Sequence, residues 1–193
     1  HVAKLEAEGS FLGATQPGAD REDAGGAITA LRDGNSIVTG NFRGTATFGS
    51  ITLTSAGEDD IFVAKLDADG NYLWATSTGD TGGDEGGDIT SLSDGSSIVT
   101  GIFSGSSAFG STTLTTADPF NVFVAKLNAD GSYAWATKVG NTSSNGVHDA
   151  AITSLSDGSS IVTGFWPRGN ATFGSITLTN TGGDDDIFVA KLD

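Results

Sequence analysis

The stretch "SLSDGSSIVTG" at residues 91–101 decides the fold, because it returns letter for letter at 154–164 and in altered form as "ALRDGNSIVTG" at 30–40. At its centre stands an Asp-Gly pair: Asp33-Gly34, Asp94-Gly95 and Asp157-Gly158. Asp-Gly between two β-prone runs supplies the positive φ that a tight hairpin needs. A chain that writes one hairpin three times is a tandem repeat, and a repeat governs the architecture before any single element does.

Working outward, "VAKL" stands at 2–5, 63–66, 124–127 and 189–192, so Lys4, Lys65, Lys126 and Lys191 are spaced 61, 61 and 65 apart. The period is about 61 residues, which phases the chain as units 1–61, 62–122 and 123–187, with 188–193 opening a further unit. The extra residues of the last unit fall between Trp135 and Ile152, in "GFWPRGNATF" (164–173) and in "NTGGDDDIF" (180–188). These stretches are rich in Gly, Asn, Asp or Pro, where an insertion disturbs no ladder hydrogen bond.

Inside each unit the apolar period is two. "DIFVAKLD" (60–67) puts Ile61, Val63 and Lys65 on one face and Phe62, Ala64 and Leu66 on the other, so both faces of this strand require cover. Asp69-Gly70 and Asp130-Gly131 mark a second hairpin before "YLWAT" (72–76) and "YAWAT" (133–137). Gly49-Ser50, Gly110-Ser111 and Gly174-Ser175 mark a third, with glycine at the first turn position as a type II′ turn requires. No segment carries a helical stripe. The expected fold is all-β: tandem four-stranded antiparallel units, apolar on both faces and stacked on one another in the manner of a β-propeller, with a β-solenoid or a sandwich array as the alternatives.

"DITSLSDGSSIVTG" (88–101), "DAAITSLSDGSSIVTG" (149–164) and "FVAKLDADGNYLWAT" (62–76) resemble the SBBP repeat, a bacterial family. The resemblance covers almost the whole chain and implies propeller-forming units of secreted or surface proteins, without implying an activity. The first unit departs from the pattern, with Phe11 and Gly13 where later units have Tyr and Trp.

Charge narrows the partners. With 24 acidic and 9 basic side chains the net charge is -15, which repels nucleic acid and anionic lipid. The chain has no cysteine and no methionine, so it forms no disulfide or thiolate metal site, a composition suited to an extracellular or cell-surface setting. Its apolar runs are too short to cross a bilayer, and no signal peptide is expected in it. Three units and a leftover strand fall short of the four to eight blades, roughly, that close a propeller. The expected partners are therefore copies of the chain or further repeats of a longer one.

Two groups of residues stand out as sites. Asp80, Asp84, Glu85 and Asp88 crowd "GDTGGDEGGD" (79–88), and Asp184, Asp185 and Asp186 crowd "GGDDD" (182–186). Clustered carboxylates repel unless neutralised, so these stretches read either as solvated acidic loops or, since a hard cation prefers such oxygens, as sites for Ca2+. Asp67 and Asp130, in contrast, fit plain hairpin turns. Trp166 and Arg168 in "GFWPRGN" are the candidates for glycan contact, since Trp74 and Trp135 recur in register and read as packing. The recurring lysines are expected to snorkel from an outer strand or to pair with nearby aspartates. His148, among Ser143, Ser144 and Asp149, lies in a Gly/Ser-rich loop and does not read as a triad member. The expectation is a non-enzymatic extracellular scaffold, adhesive or filament-forming, with a lectin-like carbohydrate-binding propeller as the alternative.

Overall fold

The computed structural model describes residues 2–5, 8, 11–15, 18–19, 21–117, 119–139, 148–166, 169–182 and 184–193. Among them every regular element is a β-strand. The chain opens with β1 (Val2–Leu5), β2 (Phe11–Thr15) and β3 (Gly18–Ala19). The first repeat holds β4 (Asp23–Ala30), β5 (Ser36–Phe42), β6 (Thr45–Phe48), β7 (Ile51–Thr54), β8 (Asp60–Leu66) and β9 (Tyr72–Thr78). The second holds β10 (Glu85–Ser91), β11 (Ser97–Phe103), β12 (Ser106–Phe109), β13 (Thr112–Thr115), β14 (Asn121–Leu127) and β15 (Tyr133–Val139). The third holds β16 (His148–Ser154), β17 (Ser160–Trp166), β18 (Gly169–Phe173), β19 (Ile176–Asn180) and β20 (Asp186–Leu192).

Each repeat forms one antiparallel sheet in chain order, with a small hairpin set between its second and third strands. The orders are β4-β5-β8-β9, β10-β11-β14-β15 and β16-β17-β20, and the inserted hairpins are β6-β7, β12-β13 and β18-β19. The sheets thus phase the repeat from β4, β10 and β16, whereas the phase at 61/62, 122/123 and 187/188 falls inside β8, β14 and β20. Register repeats as closely as sequence does: Val38 faces Ala64, Val99 faces Ala125 and Val162 faces Ala190.

All three expected hairpins form. The Asp-Gly turns are wider than two-residue loops: Leu31 N–H donates to Asn35 O at 2.8 Å and Gly34 N–H to Leu31 O at 3.2 Å. Glycine at φ 85° closes the turn, an arrangement in which a turn is followed by a left-handed residue. Asp33 stabilises it by accepting from Asn35 N–H at 3.0 Å, and Asp94 and Asp157 accept likewise from Ser96 and Ser159.

Both faces of the second sheet are covered because the sheets lie face to face. Ile37, Ile61 and Val63 of the first sheet share one buried cluster with Val99, Phe103, Phe123, Ala125 and Leu127 of the second. Ile98, Val122 and Val124 of the second share another with Val162, Trp166 and Phe188 of the third. The same positions therefore recur in both interfaces, the front of one sheet meeting the back of the next. Hydroxyls repeat the arrangement. Ser91 Oγ donates to Ala30 O at 2.9 Å, and Ser154 Oγ donates to Ser91 O at 2.9 Å.

The recurring "TG" has a steric cause. Thr39, Thr100 and Thr163 donate through Oγ1 to the carbonyls of Phe62, Phe123 and Phe188 at 3.0, 2.7 and 2.7 Å. A Cβ on Gly101 would stand 2.0 Å from Glu85 O and 2.9 Å from Phe123 Cε1, so only glycine fits beneath the ring.

Candidate functional site

The acidic stretch 79–88 links the first sheet to the second, and the structure draws Asp80 and Asp84 together there. Asp84 is fully buried. Its Oδ2 accepts from Asp80 N–H at 2.9 Å, and its Oδ1 accepts from Ser104 N–H at 3.1 Å and Ser107 Oγ at 2.8 Å. Asp80 accepts from Gly82 N–H at 2.6 Å and Ser106 N–H at 2.7 Å. The two carboxylates thus tie the linker to the segment 104–107 of the second repeat. Burial raises the Asp84 pKa, opposed by the Asp80 N–H and Ser107 hydrogen bonds.

Asp60, the first residue of β8, joins this pair and was not singled out in the sequence. It is 3 % exposed, and burial pushes its carboxyl up to about 6, opposed by the Ala56 N–H bond and reinforced by the charges of Asp84 and Asp80. Oδ2 accepts from Ala56 N–H at 3.1 Å, while Oδ1 has no hydrogen-bond partner among the described residues. A signal was present: Asn121 and Asp186 stand at the same strand position, a small polar side chain before an apolar run.

Glu85 and Asp88 lie apart from that trio, lining a cleft of about 290 Å³ between the inner strands of the second and third sheets with Gly86, Gly87, Ala150 and Ala151. Asp88 Oδ2 accepts from Ile152 N–H at 2.8 Å, so it joins β10 to β16. Asp184, Asp185 and Asp186 are exposed in the third repeat, where Asp184 O accepts from Asn180 Nδ2 at 2.8 Å. Among the described residues, no three His, Asp or Glu side chains form a group that could hold a metal ion. At Asp80 and Asp84 the oxygens are already engaged by N–H and O–H donors.

Trp166 occupies the position of Phe42 and Phe103, so it has counterparts after all: "SIVTGNF", "SIVTGIF" and "SIVTGFW" align. It is 3 % exposed, its ring centroid lies 6.4 Å from that of Phe188, and its Nε1 donates to Gly169 O at 3.2 Å. That ring presents no open face for a sugar to stack on. Arg168 lies outside the described residues, as do the side chains of Lys4, His148 and Asp149. Trp74 caps the next repeat, its Nε1 donating to Ala129 O at 3.2 Å beside the Gly131 turn.

The recurring lysines meet aspartates in their own sheets. Lys65 pairs with Asp33 at 3.8 Å, Lys126 with Asp94 at 3.7 Å and Lys191 with Asp157 at 3.4 Å. Asp157 is held down to about 2 chiefly by the Ser159 hydroxyl and N–H, with Lys191 adding to them. Asp67 is lowered by the Asn71 side chain and N–H. These carboxylates build turns.

No protein-family model matches the chain, and a search of the curated proteins finds no match.

Proposed function

We propose that the chain is a non-enzymatic repeat scaffold of an extracellular or cell-surface protein, its sheets stacking like the blades of a β-propeller. One observation carries the reading: both sheet interfaces are built from the same strand positions, so each repeat is a stacking module that accepts another of its kind. The polar residues that recur from unit to unit also serve the fold, as lysine–aspartate pairs, turn-building aspartates and threonine-to-carbonyl bonds. The resemblance to SBBP repeats and the acidic surface support the setting. A scaffold of this kind serves adhesion or filament formation. The oxygens of Asp80 and Asp84 are engaged by N–H and O–H donors, and the lectin-like alternative has lost its aromatic platform with Trp166 inside the core.

The test is display of the chain on a cell surface, together with turnover assays of the purified chain on polysaccharide, peptide and ester panels. Increased attachment between cells or to surfaces, without turnover, is expected. Turnover above buffer, or unchanged attachment, overturns the reading.

A further inference from the structure

The seam between the first and second repeats is built around a carboxyl that the second repeat replaces by an amide. Asp60 begins β8 and Asn121 begins β14, and both side chains are buried. The linker 79–84 lies on Asp60, since a Cβ on Gly79 would stand 2.5 Å from Asp60 Cγ. That linker is bound on both sides. Asp84 N–H donates to Asp59 O at 2.7 Å in the first repeat. In the second repeat, Ser104 N–H and Ser107 Oγ donate to Asp84, and Ser106 N–H donates to Asp80. Thr78 Oγ1 donates to Ala108 O across the same seam. Ser107 stands where the other two repeats have Ala46 and Ala171, so its hydroxyl accompanies Asp84 at this seam.

Two buried carboxyls share the seam, and their surroundings treat them differently. Asp84 receives three donors, from Asp80 N–H, Ser104 N–H and Ser107 Oγ, which suits an anion. Asp60 receives one, from Ala56 N–H, and its Oδ1 has no partner among the described residues. A buried anion short of donors is costly, and a second anion beside it costs more. The charges that face Asp60 are Asp80 and Asp84 from the linker and Asp59 from its own loop. Arg43 meets the neighbouring Glu58 at 3.1 Å and Asp59 at 4.0 Å. Phe42, opposite Asp60 on β5, and Ser104, Ser106 and Ser107 of the second repeat bring no charge. The proton of the pair therefore rests on Asp60.

We propose that this seam is a pH-operated joint: it is held while Asp60 keeps its proton beside the Asp84 carboxylate, and it loosens when that proton leaves, freeing 79–84 from 104–107. The strand position that opens β14 is outside this control, because Asn121 does not ionise. Burial sets the sign. The Asp60 carboxyl is raised from 3.8 to about 6, so the closed seam keeps a proton that the opened seam releases. The stabilisation is present at low pH and is lost as pH rises through about 6. Loosening is local, since stacked units open one interface at a time. The joint needs only the stacked sheets, whatever role the stack serves.

Amide hydrogen exchange by mass spectrometry at pH 5 and pH 7.5 tests this, each rate being divided by that of an unstructured chain at the same pH. Protection of 79–84 and 104–107 is expected to fall about tenfold from the lower to the higher pH, as a carboxyl raised from 3.8 to about 6 requires, while 121–127 keeps its protection. Asp60→Asn, which copies the buried Asn121, abolishes the fall. Ser107→Ala, which copies Ala46 and Ala171, withdraws a donor from the Asp84 carboxylate. The pair then holds its proton more tightly, and the midpoint of the fall moves to higher pH. Unchanged protection in the parent, a fall that survives in Asp60→Asn, an equal fall at 121–127, or a midpoint that does not rise in Ser107→Ala overturns the joint. Those outcomes leave the scaffold reading to its turnover and attachment assays.

Discussion

Val189 occupies the strand position of Val63, yet Val63 is fully buried and Val189 is 67 % exposed. The two residues share sequence, strand and register, with Thr39 facing one and Thr163 the other. What differs is the sheet beyond. Val63 lies under the back of the second repeat, and no described sheet follows the third.

Val63→Asp therefore places a carboxylate inside an apolar interface and is expected to destabilise the chain by more than about 4 kcal/mol, whereas Val189→Asp changes stability by less than about 0.5 kcal/mol. Urea denaturation at low protein concentration measures both. Equal costs would contradict the assignment of faces.

Asp60 sets a pH dependence. Its carboxyl is raised from 3.8 to about 6 chiefly by burial, so between those values the folded chain holds more protons than the unfolded one. Stability contributed by the protonated form is present at low pH and is lost as pH rises through about 6. Asp60→Asn, which copies Asn121 of the second repeat, removes that loss and raises the melting temperature at pH 7 relative to pH 4. An unchanged pH profile in the variant would count against a buried Asp60.

Gly101→Ala brings a methyl against Glu85 O and the Phe123 ring. The neighbour is backbone and cannot rotate away, so a loss of about 1–3 kcal/mol is expected from equilibrium unfolding. Gly70→Ala has open space and fails only through its φ of 86°; it provides the comparison for strain without a clash.

Thr100→Val leaves the shape of the core unchanged and removes the donor to Phe123 O. The expected cost is about 1 kcal/mol. Lys126→Met, which breaks a pair that is 26 % exposed on the lysine side and 62 % on the aspartate side, is expected to cost less than about 0.5 kcal/mol and to cost still less in high salt. Chemical denaturation of the two variants distinguishes an interior bond from a screened surface pair.

Much of this was legible in the sequence. The Asp-Gly and Gly-Ser pairs announced three hairpins per repeat, and the two-sided apolar pattern of "DIFVAKL" announced sheets covered on both faces, because turn chemistry and strand period are local properties. The lysine–aspartate pairs were also foreseeable, from lysines that recur in phase with the turns. Less legible was anything that depends on a neighbouring repeat. Trp166 looked unmatched because an insertion follows it, and its burial became plain only when β17 was aligned on β5 and β11. The carboxylates of 79–88 stand together in the sequence, but the chain divides them: Asp80 and Asp84 join Asp60 from β8, while Glu85 and Asp88 line the cleft between the second and third sheets. Which carboxylates meet depends on long-range packing that spacing does not encode.

The most direct measurement is hydrogen exchange by mass spectrometry, following residues 60–66, 121–127 and 186–192. The account predicts that the first two segments, whose side chains lie between stacked sheets, exchange slowly, while 186–192, with Ile187 and Val189 exposed, exchanges quickly. Equal protection of all three strands, or fast exchange at 121–127, would contradict it.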